Sequence, residues 1–210
     1  YMHKGQLVSW IIADVIKIGG LCFVWLASSK ITGSIDQAYI VTYYVLMLLV
    51  GRLMADITPE EGVRQILNGK FSNLLLKPMS HLSGYIGNNL GSNFFRLLVS
   101  IPAFLLGMFI ATRLNLWVVD FNPYLIFLAL VGVAMGFMIN FFLGNIFSLL
   151  AFYNKNMEGM RIFYFNIAAL LSGEFIPLVI LPFLAEYILK ILPFRYTLSF
   201  PIEILIGRLT

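Results

Sequence analysis

The chain has 210 residues, of which 60% are hydrophobic and 11% are charged, and its formal net charge is +4. A soluble domain carries about 25% charged residues, so this composition excludes a water-soluble globular protein and indicates an integral membrane protein. The basic residues are scattered along the chain, which argues against nucleic-acid binding. The single cysteine, Cys22, excludes a disulfide or a cysteine-based metal site within the chain.

The first long apolar run predicts a membrane span over about residues 7–28. It contains Asp14 and Lys17, which are three residues apart and can pair with each other on a helix. A second span is predicted over about 38–55, after a short polar loop. Because the sequence begins with Tyr1 rather than Met, we expect the N-terminus to be incomplete.

The segment 56–80 is the longest stretch that is not plainly a membrane span. Thr58 is predicted to cap a helix in which Pro59 is the first residue, and Glu61 completes a capping box. Glu60 and Glu61 also suit the positive end of the helix dipole. This pattern predicts a well-defined helix start at the water side of the membrane.

Three residues form an apolar face on this predicted helix: Val63, Ile66 and Leu67. Glu60 and Arg64 lean away from that face. Asn68 and Gly69 predict its C-terminal end, and a second short apolar run follows at 71–76. Two interpretations remain open: an interfacial helix that rests on lipid, or a docking helix for a soluble partner.

A third span is predicted over about 85–111, with polar residues at every fourth position: Asn88, Ser92, Arg96 and Ser100. A GxxxG pair, Gly87 and Gly91, accompanies them and favours close helix packing. Arginine in mid-membrane costs about 2.5–3.5 kcal/mol on insertion scales, so this stripe should face protein or water. A substrate path lined by Asn88, Ser92 and Arg96 and simple polar packing explain the stripe equally well.

A fourth span is predicted over about 123–152 and a fifth over about 162–173, extending toward 181. Small and polar residues recur every four positions in the fourth span: Gly132, Gly136, Asn140, Gly144 and Ser148. This spacing predicts a stripe that packs closely against a neighbouring helix.

The region 174–208 holds half of the chain's prolines, and its apolar pieces are too short to cross a membrane core of about 30 Å. Broken helices at membrane depth persist only where they pack against protein or line a cavity. We therefore expect short re-entrant or interfacial helices here, and a further C-terminal span outside the sequence.

The distribution of basic residues predicts the orientation. With 56–80 in the cytoplasm, seven basic residues lie inside: Lys4, Arg52, Arg64, Lys70, Lys77, Lys155 and Arg161. Four lie outside: Lys30, Arg113, Lys190 and Arg195. The excess inside favours this orientation.

Motifs for nucleotide binding or hydrolysis are absent from the sequence. Gly69 and Lys70 are followed by Phe71, so they do not form a phosphate-binding GxxxxGK[ST] loop, and neither HExxH nor GxSxG occurs. We therefore expect no catalytic, cofactor or metal site, and we expect any work to be driven by an ion gradient or a partner ATPase.

Three pieces of sequence resemble one family: ILNGKFSNLLLKPMS at 66–80, SGEFIPLVILPF at 172–183 and LPFRYTLSFPIEILIGRL at 192–209. They resemble the permeases of ABC-2 type exporters, above all a bacterial branch of small permeases long treated as a domain of unknown function. The resemblance covers nearly the whole chain. It implies an all-α polytopic fold with six spans and re-entrant helices before the sixth, so five spans are present here and the sixth is missing.

The resemblance also implies partners. Two permease subunits, either copies or related chains, pair in the lipid bilayer, and two ATPase subunits that bind ATP and Mg dock underneath. It makes 56–80 a cytoplasmic coupling segment, with candidate residues Thr58, Pro59, Glu60, Glu61, Val63, Arg64, Ile66, Leu67, Phe71, Leu74 and Leu75. The residues of its re-entrant motif would be Gly173, Glu174, Pro177, Pro193 and Arg195.

We interpret the chain as the permease subunit of an ABC exporter in a bacterial cytoplasmic membrane, which forms the substrate path and does not itself hydrolyse ATP. One alternative is an ion-coupled secondary transporter, which would need paired acidic residues within spans, where only Asp14 qualifies. Another is a membrane scaffold that transports nothing. The sequence does not name the substrate.

Overall fold

The computed structural model describes residues 4–32, 36–76, 80–119, 122–181 and 183–208. Their α-helices are α1 (Lys4–Thr32), α2 (Gln37–Leu53), α3 (Thr58–Leu67), α4 (Phe71–Leu75), α5 (His81–Arg113), α6 (Pro123–Leu149), α7 (Glu158–Leu171), α8 (Phe183–Ile191) and α9 (Ser199–Ile206). Short 3₁₀ turns lie at Leu150–Phe152, Leu178–Ile180 and Pro193–Thr197. No strand occurs in these described ranges, so the predicted all-α class is confirmed.

Three helical stretches of the described part are long and apolar enough to cross a membrane: Gln37–Leu67, which joins α2 and α3, His81–Arg113 and Pro123–Phe152. α7 is apolar but has only 14 residues. It ends at Leu171, and Gly173 turns the chain with a φ of 89°. The helix itself therefore stops short of residue 181, toward which the fifth span was predicted to extend.

The core is built around α2, which contacts α1, α5 and α9. Tyr39, Tyr43 and Tyr44 on this helix are at most 1% exposed. Met54, just after its end, and Ile202 from α9 belong to the same apolar cluster. α2 is thus the central helix of the described part, and the other spans are arranged around it.

One face of α6 is lined by small residues, as the four-residue spacing predicted. Gly132 and Gly136 are both buried. A Cβ atom at Gly132 would lie 3.5 Å from Ile204, and one at Gly136 would overlap the carbonyl oxygen of Tyr196. The absence of side chains lets α9 and the turn Pro193–Thr197 lie directly on α6. The predicted close packing of this stripe is confirmed.

The short helices expected after residue 173 are present, and a buried ion pair anchors them. Arg195 Nη2 lies 2.7 Å from Glu203 Oε2, and the two side chains are 5% and 0% exposed. Removing one partner of a buried ion pair is strongly destabilising. The pair ties the turn Pro193–Thr197 to α9.

Candidate substrate cavity and coupling segment

A cavity of about 380 Å³ lies among α1, α2, α5, α6 and α7, beside the start of α3. Apolar side chains such as Met47 and Phe165 form part of its wall. Its polar lining residues are Lys17, Arg52, Asp56, Glu60, Arg96, Asn140, Tyr164, Ser172, Glu174 and Thr197. Charged side chains within a membrane are costly in lipid and mark substrate or ion pathways. We therefore take this cavity as the candidate substrate path.

An ion pair within the cavity wall joins α1 to the loop after α7. Lys17 Nζ pairs with Glu174 Oε1, and it also lies 5.5 Å from the centre of the Phe175 ring. The sequence predicted Asp14 as the partner of Lys17. The structure gives Lys17 a partner 157 residues away. The side chain of Asp14 lies outside the described residues, so its pairing with Lys17 stays a prediction.

The loop after α7 is held by hydrogen bonds from α1 and α2. Trp25 Nε1 donates to the carbonyl oxygen of Phe175 at 2.9 Å, and the Tyr44 hydroxyl donates to the same oxygen at 3.1 Å. The Tyr43 hydroxyl donates to the carbonyl oxygen of Gly173 at 2.9 Å. A Cβ atom on Gly173 would lie 2.7 Å from that hydroxyl, and its positive φ also favours glycine. These contacts fix the loop and, with it, the acidic member of the ion pair.

Asp56 lies where α2 gives way to α3, in a space left open by Gly144. A Cβ atom at Gly144 would overlap Asp56 Oδ2 and would lie 2.9 Å from Pro59 Cδ. Asp56 Oδ1 accepts a hydrogen bond from the Thr58 N–H at 2.9 Å. Among the described residues, Asp56 Oδ2 and the Tyr164 hydroxyl are buried without a hydrogen-bond partner. Since buried polar groups are normally paired, these two atoms make this end of the cavity distinctly polar.

The start of α3 is capped from another helix, and the capping box predicted at Thr58 is wrong. The Ile57 N–H donates to Asn89 Oδ1 at 2.9 Å, and Asn89 Nδ2 donates to Thr58 Oγ1 at 2.8 Å. The hydroxyl of Thr58 is thus an acceptor for a side chain of α5 and makes no capping bond. Pro59 does occupy the first turn, as predicted.

α3 buries one face in its own chain. Thr58, Pro59 and Val63 are buried, and Ile66 packs against the cluster that contains Val63. The other members of this cluster are Phe147, Ala151 and Met157. Leu67, which the sequence grouped with Val63 and Ile66, is 42% exposed. The predicted apolar face is therefore divided between an inner part and an outward-facing leucine.

Charged residues cover the outer side of α3. Glu61 pairs with Arg64 and accepts a hydrogen bond from Gln65 Nε2 at 2.6 Å. Glu60 lies 3.7 Å from Arg161, at the start of α7. The carboxylates of Glu60 and Glu61 are thus both paired with basic side chains of this chain.

α4 adds an apolar edge to this surface. The Phe71 ring packs on His81 and Phe152, with ring centres 5.8 and 5.5 Å apart. Leu74 is half-buried, whereas Leu75 is 65% exposed. An anchored aromatic residue thus positions an exposed leucine next to the charges of α3.

The fold and the cavity can now be compared with known proteins. The family model described as "ABC-2 family transporter protein" matches residues 10–210. The chain belongs to the ABC-2 transporter family. Membership makes it a membrane permease of ABC transporters and implies an ABC ATPase as partner. No curated protein and no solved structure matches the chain at a significant level.

The ABC-2 protein brings only part of the polar stripe of α5 to its cavity. Arg96 is half-buried and lines the cavity, whereas Asn88 is exposed. Ser92 donates to the carbonyl oxygen of Asn89 in its own helix at 3.0 Å. The fully buried amides of α5 are those of Asn89 and Asn93, one position further along, and the roles of Asn88 and Ser92 in a substrate path stay predictions.

The GxxxG pair of α5 has no neighbour within the described part of the chain. A Cβ atom at Gly87 or Gly91 would have nothing within 4 Å, and the same holds at Gly84. Close packing at these glycines, as predicted from the sequence, does not occur here. This face of the ABC-2 protein lies open along the first half of α5.

The residues of the re-entrant motif occupy two places in the ABC-2 protein. Gly173 and Glu174 form the loop at the cavity, and Pro177 is buried after them. Pro193 begins the last 3₁₀ turn, in which Arg195 is buried. The motif therefore contributes one loop to the cavity wall and one turn to the packing against α6.

Several cavity residues were missed as site candidates by sequence reasoning. Arg52 and Asp56 looked like ordinary charges at the end of a span, and Tyr164 looked like one more membrane aromatic residue. Asn140 stood out only as part of a packing stripe. The sequence feature that could have identified two of them is the placement of Arg52 and Asp56 within five residues at the end of an apolar run.

Proposed function

We propose that the chain is the permease subunit of an ABC exporter that conducts its substrate through the cavity and couples to a separate ATPase through residues 56–80. The charged cavity among the spans carries this proposal. Arg52, Arg96, Lys17 and Glu174 line a space that apolar side chains also border. Such a mixed wall suits a substrate that leaves water and crosses the bilayer.

The arrangement of the coupling segment supports the second half of the proposal. α3 packs against α6, and its outer side carries Arg64 and Leu67. Leu75 extends this surface beyond the turn. An amphipathic helix that is anchored in its own chain and exposes a leucine among charges is suited to a groove on a soluble partner.

The partner supplies the energy in this proposal. ATP and Mg bind to the ATPase subunit, and the permease converts closure of the ATPase dimer into a change at the cavity. A second permease, either a copy or a related chain, completes the transporter in the bacterial cytoplasmic membrane. The positive-inside count places α3 on the cytoplasmic side, where a soluble ATPase can reach it.

Purification of the tagged permease from membranes tests the proposal. We expect a soluble ATPase to co-purify, and we expect its recovery to require residues 56–80. The control is a chain in which the loop 153–156, exposed after α6, is replaced by glycine and serine. A permease that is recovered without any ATPase from gentle detergent and from nanodiscs would contradict the proposed function.

A further inference from the structure

At the break between α2 and α3, several backbone groups lack the hydrogen bonds that a continuous helix would provide. Asparagine side chains from two other helices bind these groups. Asn93 Nδ2 donates to the carbonyl oxygens of Leu53 and Ala55 at 3.2 and 2.7 Å. Asn140 Nδ2 donates to the carbonyl oxygen of Met54 at 2.7 Å. Three consecutive carbonyl groups at the end of α2 are therefore held by side chains of α5 and α6.

A third asparagine completes the arrangement at the start of α3. Asn89, which is fully buried, accepts from the Ile57 N–H and donates to the Thr58 hydroxyl. A backbone group in a bilayer must be bound within the protein, because lipid offers no hydrogen bonds. Side chains of the same helix could have done this. Apart from the bond of the Thr58 N–H to Asp56 within the joint, the bonds described here come from α5 and α6, so the joint of residues 53–58 is tied to both of them.

Because these bonds come from other helices, they restrict bending at the joint. A helix break normally provides a hinge, since the chain lacks helical hydrogen bonds there. At this break the amides fill the places of the lost bonds, and bending at the joint would break one buried and several partly buried hydrogen bonds together. A swing of α3 about residues 53–58 with α5 and α6 in place would therefore require these bonds to break.

We propose that Asn89, Asn93 and Asn140 are positioning residues that make the α2–α3 joint move as one body with α5 and α6. The inference rests on the proposed function, in which a partner pushes on the outer face of α3. The push then passes directly to α5 and α6, which carry the cavity residues Arg96 and Asn140.

A distance measurement in the unmodified joint tests the rigid-body claim without any risk of misfolding. Spin labels are placed at Asn68→Cys at the C-terminal end of α3 and Leu90→Cys in α5, both exposed, in a Cys22→Ser chain assembled with its ATPase. We expect the same distance distribution in the nucleotide-free and the ADP–vanadate-trapped complex. A nucleotide-dependent shift or a second population would overturn the inference.

Variants of the joint test whether its rigidity transmits motion. Ala168→Cys in the cavity wall reports access to a water-soluble maleimide. Thr58→Val removes the acceptor for Asn89, and Asn93→Leu removes the amide that binds two carbonyls. We expect both complexes to retain the ATPase and its hydrolysis but to lose the nucleotide-dependent change in labelling rate.

Two further variants separate this role from general damage. Thr58→Ser keeps the acceptor hydroxyl and should restore the nucleotide-dependent change. Asn166→Leu is the control, since Asn166 is exposed and its amide donates to the carbonyl oxygen of Ile162 in its own helix. Retention of the labelling change in Thr58→Val and Asn93→Leu would overturn the inference alone. Failure of the native chain to bind any ATPase would overturn the proposed function and, with it, this inference.

Discussion

Because α6 packs against the turn Pro193–Thr197, replacing glycine by alanine should change the free energy of unfolding in opposite directions at Gly136 and Gly87. In Gly136→Ala, the new methyl group would overlap the Tyr196 carbonyl oxygen and lie 2.9 Å from Met54 Cε. The methionine can move, but the carbonyl belongs to backbone packed on α6. In Gly87→Ala, the methyl group meets nothing within 4 Å.

The magnitude follows from two terms. Replacing a helical glycine by alanine stabilises a protein by about 0.5–1 kcal/mol, and this term is common to Gly136 and Gly87. Overpacking costs about 1–3 kcal/mol and applies only to Gly136. The difference in the free energy of unfolding between the two variants therefore isolates the overpacking term, about 1–3 kcal/mol, with Gly136→Ala the less stable.

The assay is equilibrium unfolding of both variants and the native chain in mixed micelles titrated with SDS. Gly87→Ala should unfold at the same or a higher SDS fraction than the native chain, and Gly136→Ala at a lower one. Gly136→Leu adds three further carbon atoms at the same contact and should prevent folding. Equal stability of Gly136→Ala and Gly87→Ala would refute the close contact between α6 and the turn.

Three further predictions concern charge, exposure and orientation. Arg195→Met leaves Glu203 buried beside an apolar side chain and should destabilise the chain by about 3–5 kcal/mol. Arg195→Met combined with Glu203→Leu should recover most of that loss. Equal stability of the single and the double variant would contradict the stabilising role of the ion pair. In a Cys22→Ser chain, Arg96→Cys should react with a water-soluble thiol reagent much faster than Phe94→Cys, which faces outward on α5, and the reverse order of rates would place Arg96 against lipid. A cysteine at Arg64 should be modified only from the cytoplasm and one within 32–36 only from outside, so labelling of the first site by an impermeant reagent in intact cells would reject the orientation.

The sequence alone predicts features that depend on neighbours along the chain. The four-residue spacing of Gly132 and Gly136 predicts a close-packing face, because each missing side chain leaves the same side of the helix open. Asn68 and Gly69 predict the end of α3, and Gly69 has the positive φ of 69° that such an end requires. Local geometry determines both features, so no knowledge of the tertiary fold is needed.

Features that depend on distant contacts do not follow from spacing. In α5, two stripes of period four lie side by side, one with Asn88 and the other with Asn89, and spacing alone does not say which one faces inward. The same limit applies to Thr58, whose hydroxyl is bound by an amide 31 residues away. Spacing along the chain also gives no sign that Lys17 pairs with Glu174, which lies 157 residues away. Long-range packing decides each of these cases.

The proposed binding of an ATPase to the outer face of α3 can be tested by a charged substitution at Leu67. Leu67 is exposed while Ile66 packs inside, so Leu67→Asp places a charge on the outer face without entering the core. Ile66→Asp is less informative, because it would charge the inner cluster and harm folding. Leu114→Asp is the matched control, since Leu114 is an exposed leucine at the C-terminal end of α5, away from α3.

The deciding measurement is the amount of ATPase recovered with each permease variant from membranes that contain equal amounts of permease. We expect Leu67→Asp to lose the ATPase and Leu114→Asp to retain it, because an unpaired charge in a docking groove costs several kcal/mol. Recovery of the ATPase with Leu67→Asp at the level of Leu114→Asp would contradict the claim and make α3 a surface helix.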